Sequence, residues 1–133
     1  MANVDPIFLG TTQNVGETIT AADTTTKKTV VTAGTDGGAV VSLSAVNFDA
    51  ANPVVILLSV NDGAASTQLG AVTVAAAAGT DGVTAAVNLL DTALIPSLQA
   101  DGSFILEANH SFEVAALATV SGNVDIAGIA GNY

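Results

Sequence analysis

The chain has no cysteine, no tryptophan and no arginine, and its positive side chains are two adjacent lysines, Lys27 and Lys28. Each shortage excludes something. Without cysteine no disulfide can form, so stability must come from packing, strand pairing or oligomerisation. Twelve acidic residues against two lysines give a formal net charge of −10 over 133 residues. A polyanion is repelled by phosphates, and nucleic-acid binding normally needs a basic face, so nucleic acid is excluded as a partner. Anionic membranes are disfavoured for the same reason. Charged residues of either sign make up only 11% of the chain, too few to cover a surface with ion pairs. What remains for the exterior is small and polar, a surface suited to close packing against another protein.

Long apolar runs are missing as well. The longest, such as residues 53–58, fall far short of a membrane span. The start, Met1-Ala-Asn-Val-Asp-Pro, has neither a basic nor an apolar signal region, so no secretory signal is expected. Yet half the chain is hydrophobic. That content opposes disorder, and the length suits one domain with a real core.

What is present is β-sheet patterning. Residues 29–32 are β-branched. Residues 39–46 alternate, with Val41, Leu43 and Ala45 expected on one face and Ser42 and Ser44 on the other. Residues 54–60 are almost continuously apolar, as expected of a central strand covered on both faces. Four Asp-Gly pairs, Asp36-Gly37, Asp62-Gly63, Asp81-Gly82 and Asp101-Gly102, mark turns, because glycine adopts positive φ without steric cost. Residues 69–76 and 83–90 are further strands, and Pro96 breaks residues 91–98 into an irregular crossover. Residues 104–107 and 112–115 read as a strand pair joined through Asn109-His110. Residues 119–120 and 124–127 close the series. About eight short strands without a long helix predict an antiparallel β-sandwich or jelly roll. Unmatched turn flanks argue against an internal repeat. The expected core includes Val54, Ile56, Leu58, Phe104, Leu106, Phe112, Val114 and Phe48.

Residues 1–26 differ in composition, being Thr-rich with one strong apolar cluster, Ile7-Phe8-Leu9. They predict an extended N-terminal arm, with one or two edge strands, ahead of a β-domain over residues 27–133. Ile7, Phe8 and Leu9 are the candidate anchor to a partner. Lys27 and Lys28, where arm meets domain, are candidates for binding an acidic neighbour or a second copy of the chain.

Catalytic chemistry finds little support. His110 is the single histidine; Glu107 and Glu113 are near it in sequence, but it sits in an expected turn. Metal binding by His110 fails on ligand number, with no second histidine and no thiol. Asp36, Asp62, Asp81 and Asp101 suggest calcium, but no loop carries alternating oxygen ligands with a closing glutamate, and turn geometry explains each pair. No nucleophile elbow, P-loop or dinucleotide fingerprint occurs. The five aromatics are too dispersed for a stacking platform. No catalytic residue, metal or cofactor is assigned.

Three segments carry a resemblance: residues 28–39 (Lys-Thr-Val-Val-Thr-Ala-Gly-Thr-Asp-Gly-Gly-Ala), residues 94–106 (Leu-Ile-Pro-Ser-Leu-Gln-Ala-Asp-Gly-Ser-Phe-Ile-Leu) and residues 126–133 (Ile-Ala-Gly-Ile-Ala-Gly-Asn-Tyr). In these the chain resembles small structural proteins of tailed bacteriophages, of the head decoration or cement kind, over residues 26–133. The resemblance implies a β-sandwich or jelly roll and no enzymatic activity. It also implies a homotrimer on the capsid exterior that binds the major capsid protein and bridges capsomers, made in the host cytoplasm. A tail or fibre-base protein, and a carbohydrate-binding β-sandwich, are the alternatives. Sugar sites favour Trp and Tyr faces, which this chain lacks apart from Tyr133.

Overall fold

The computed structural model describes residues 10–133, so Ile7, Phe8 and Leu9 lie outside the described residues. Nine strands follow in order: β1 (Thr11–Ile19), β2 (Lys28–Thr32), β3 (Gly38–Asn47), β4 (Val54–Asn61), β5 (Ser66–Val74), β6 (Val87–Asn88), β7 (Phe104–Leu106), β8 (Ser111–Ala116) and β9 (Val124–Asn132). A single 3₁₀ turn, Ala21–Asp23, lies between β1 and β2.

All pairing is antiparallel, in two sheets. Sheet A runs β1-β9-β3, with β6 and β7 both pairing the far side of β3; sheet B runs β2-β8-β4-β5. The pairs nest. β4 with β5 is the innermost hairpin, then β3 with β6 and β7, then β2 with β8, and β1 with β9 is outermost. Rolling that long hairpin up brings β9 against β3 and β8 against β4. The result is a jelly roll, the all-β architecture expected from the strand count and turn spacing.

The core lies between the sheets. Val40, Leu43, Ala45 and Ile126 of sheet A face Ile56, Leu58, Phe112 and Val114 of sheet B, all essentially inaccessible. Phe104 and Phe112 meet across the sandwich with ring centroids 5.5 Å apart and planes at 60°, a favoured tilted geometry. Of the expected core, Ile56, Leu58, Phe104, Leu106, Phe112 and Val114 are buried, and Val54 is half-buried against them. The open side between β5 and β7 is plugged by residues 89–98. Leu89, Leu90 and Ile95 are buried there, and the Asp91 carbonyl accepts from Leu94 and Ile95 N–H.

Four expectations are corrected. Val41 is exposed, because a bulge between Val40 and Ser42 turns it out of alternation; Leu43 and Ala45 stay inside. Phe48 is 54% exposed, because Asn47 takes the last inward position of β3 and is itself buried. β7 and β8 are not a hairpin. Positive φ at Asn109 (64°) helps carry the chain across, so that β7 pairs β3 in one sheet and β8 joins the other. Finally, residues 83–90 yield only the two-residue β6, and Val83 is 89% exposed.

The Thr-rich N-terminal region, expected as an arm over residues 1–26, holds an edge strand. β1 pairs β9 without interruption from Thr11↔Asn132 to Ile19↔Val124. Only its last residue, Ile19, is fully buried. Exposed Thr, Gln and Asn side chains with a continuous backbone ladder explain a segment that looks weakly structured in composition yet belongs to the sheet.

Candidate interaction surfaces

The acidic residues are the first features to place, because they dominate the charge. Glycines 37, 63, 82 and 102 have φ of 85°, 97°, 73° and 89°, so each Asp-Gly pair does form a turn that needs glycine. In three of them the aspartate folds back on its own backbone. Asp62 accepts from the N–H groups of Ala64 and Ala65, Asp81 from Val83 and Thr84, and Asp101 from Ser103 N–H and Oγ. These bonds favour the ionised form and lower all three pKa values: backbone N–H donors lead for Asp62 and Asp81, the Ser103 hydroxyl for Asp101. Carboxylates spent on local turns are poor calcium ligands. No cluster of three or more metal-ligating side chains occurs among the described residues.

The loops after β3 and after β8 are tied together by residues that sequence reasoning passed over. Buried Asn47 donates through Nδ2 to the carbonyls of Asn52 (2.9 Å) and Ala75 (3.2 Å), and its Oδ1 accepts from Asp49 N–H (2.9 Å). Asp49 accepts from the Ser121 hydroxyl, the N–H groups of Ala51 and Asn52, and Asn52 Nδ2. The Ser121 hydroxyl is the chief cause that holds the Asp49 carboxyl far below its usual range. A groove of about 460 Å³ lies between these loops, walled by Pro53, Val54, Val55 and Leu117. Asn47, Asp49, Asn52 and Ser121 in its lining are already engaged in these bonds, which organise one pole of the sandwich. An Asn-x-Asp at the end of an alternating strand was the available signal.

Lys28 is engaged inside the chain. Its Nζ donates to the Thr18 carbonyl at 2.6 Å and lies 3.1 Å from Glu17 Oε1 and 3.2 Å from Asp23 Oδ2. Glu17 leads the causes that raise its pKa. The lysine therefore clasps β1 of sheet A to β2 of sheet B, with Glu17 and Asp23 as its acidic neighbours within the chain. Lys27, one residue earlier, is exposed. The two adjacent cations thus part company, one structural and one on the surface.

His110 sits in the turn before β8. Its Nε2 is 3.8 Å from Glu107 Oε2, a loose surface pairing. The hydroxyl of neighbouring Ser111 is shared with Thr32 Oγ1 at 2.7 Å. Glu113, on the outer side of sheet B, is buried and accepts from the Ser66 hydroxyl and Asn61 Nδ2. No nucleophile, base and orienting group converge among the described residues.

The outer face of sheet A is different. Val41, Ile105 and Ile129 are 44%, 45% and 43% exposed on adjacent strands β3, β7 and β9. Ile129 pairs Ser42 beside Val41, and Ile105 pairs Ala39. A shallow groove of about 500 Å³ runs among Ala39, Val41, Ile105 and Tyr133. Its one charged lining residue, Asp101, is occupied by Ser103.

No protein-family model matches the chain, and no curated protein is similar to it. Among solved structures, two crystal structures of a pentameric capsid protein isolated from metagenomic phage sequences resemble it at 18% identity, with TM-scores of 0.39 and 0.40. Each match covers 89% of this chain and 61% or 59% of the other. The chain therefore spans about three fifths of the length of those proteins. The fold assignment rests on this chain's own strand order.

Proposed function

We propose that the chain is a non-enzymatic structural protein of a bacteriophage virion: a decoration or cement protein that binds the major capsid protein on the outside of the head. In the assembly it is a homo-oligomer, with a trimer as the expected state. The observation that carries this reading is the apolar patch of Val41, Ile105 and Ile129 on the outer face of sheet A, in a domain whose described residues bring no reactive groups together. Exposed apolar area of this kind marks a protein-contact surface.

Jelly rolls serve viral capsids, lectins and cupins, and fold alone does not choose among them. The residues help. A cupin-type centre needs clustered metal ligands, and none occur among the described residues. A lectin-type site favours exposed aromatic faces. Here Phe48 follows the last residue of β3 while Tyr133 lies beside Gly37, before its first, so these two rings sit at opposite poles. The polyanionic surface opposes nucleic acid, and the segments that resemble phage cement proteins agree with a virion role. The test is a cryo-EM map of particles made by the phage genome that encodes this chain. Jelly-roll density in trimers over capsomer junctions is expected. Density at the tail or fibre base supports the alternative structural role, and absence from the particle overturns the reading.

A further inference from the structure

We infer that the apolar face formed by Val41, Ile105 and Ile129 is the seat for Ile7-Phe8-Leu9 of a second copy of this chain. The inference deepens the assembly reading above and rests on it. β1 starts at Thr11, and the N–H of Gly10 donates to the Asn132 carbonyl at 2.8 Å, so the chain enters sheet A beside Tyr133, at the end of the sheet that carries the exposed face. Ahead of Gly10 lie nine residues whose only ionisable side chain is Asp5, and the four nearest, Pro6 to Leu9, are uncharged. An uncharged apolar segment suits this face. Most of the chain's surface does not, since two copies at −10 each repel.

Reach favours a second copy over the segment's own domain. Ile105 lies three strand spacings across the sheet from β1, about 14 Å, and about two residues further along it, about 7 Å. Phe8 is two residues from Gly10 and its backbone extends at most about 7 Å from it. Within one chain the Phe8 and Ile105 Cα atoms therefore stay about 9 Å apart at full extension, beyond the roughly 7 Å a disulfide can span, whereas a neighbouring copy has no such limit.

Because the chain has no cysteine, introduced thiols report cleanly. Phe8→Cys protein carrying a tag is mixed with untagged Ile105→Cys protein and oxidised. A parallel mixture uses Thr73→Cys, an exposed position on β5 of sheet B. The tagged–untagged disulfide is expected to form about tenfold more with Ile105→Cys than with Thr73→Cys. Equal yields overturn the inference. So does a Phe8→Cys/Ile105→Cys double variant that closes within one chain at high dilution. Removing residues 1–9 is expected to weaken self-association about tenfold or more, as losing a buried phenylalanine contact does; unchanged association overturns the inference. If circular dichroism shows that Ile105→Cys has misfolded, Ile129→Cys takes its place. The assay contains no capsid, so the two proposals can fail separately. Random cross-linking with head binding intact removes only this inference, while selective cross-linking by a protein absent from particles removes only the virion role.

Discussion

Phe112→Ala tests the core directly, with Phe48→Ala as its partner. Both phenylalanines are expected inside from the sequence, but Phe112 is fully buried and Phe48 is 54% exposed. Phe112 stands on β8 in the middle of sheet B, opposite Val31 on one side and Val60 on the other, and packs its ring on Phe104 across the sandwich. Truncation removes the transfer free energy of the ring and leaves a cavity that a central strand cannot collapse to fill. Such changes cost about 3–5 kcal/mol, a large fraction of the roughly 5–15 kcal/mol that holds a domain together. At about 4 °C per kcal/mol for a chain of this size, the melting temperature should fall by roughly 15 °C. Phe48→Ala should stay within about 0.5 kcal/mol, as surface changes usually do. Calorimetry and urea titration of both variants give the comparison. Equal losses at the two positions would refute the assignment of Phe112 to the core and Phe48 to the surface.

Gly128 faces Leu43 across the β9–β3 ladder, and an added Cβ would run into the Ser42 carbonyl; Gly128→Ala should lose soluble folded protein, whereas Gly16→Ala, with ordinary contact to the Ile126 carbonyl at 3.6 Å, should not. Expression yield and circular dichroism separate them. Trypsin can cut only after Lys27 and Lys28. Exposed Lys27 should be cut before the clasped Lys28, and the nicked protein should keep its N-terminal piece through the β1–β9 ladder until denaturant is added; a piece that elutes separately in native gel filtration would show that β1 is not held. Asp49, Asp62, Asp81, Asp101 and Asp23 all have lowered pKa values in the folded chain. Their contribution is complete above the unfolded value near 3.9 and is lost as pH falls through the folded values, so urea midpoints should drop below about pH 4, and less steeply in Asp49→Asn. At the other extreme, the raised pKa of Lys28 contributes stability below its unfolded value of 10.5 that is lost as pH rises through the folded one.

The turns were the most legible part of the fold. Asp-Gly chemistry is local, so four pairs named four positive-φ glycines. Strand identity was legible where the pattern is long and strong, as in β4 and β8. What depended on partners was not. Val41 follows period two in sequence, and only the bulge against β9 turns it outward. Nothing local to residues 104–115 says that its two strands enter different sheets. β1 draws its order from a backbone ladder with residues more than a hundred positions away, which composition does not record. At the candidate surfaces, Lys27 and Lys28 are equivalent by sequence. They separate only because strand pairing places Lys28 alone beside Glu17 and the Thr18 carbonyl. The apolar face escaped notice because Val41, Ile105 and Ile129 come from three distant segments.

The nested pairing has a consequence for how the domain comes into being. β9 fills the middle of sheet A, between β1 and β3, yet it is the last of these nine strands to leave the ribosome. Until it arrives, β1 has no neighbour in its sheet, and β3 has only the short β6 and β7. Sheet B is complete once β8 has emerged, so during synthesis one wall of the sandwich can stand before the other can close. Contacts between such distant segments form slowly, because the loop entropy is lost before the contact is gained. In that interval the inner face of sheet B is open to water and to other nascent chains, so the domain is exposed to aggregation until β9 closes sheet A.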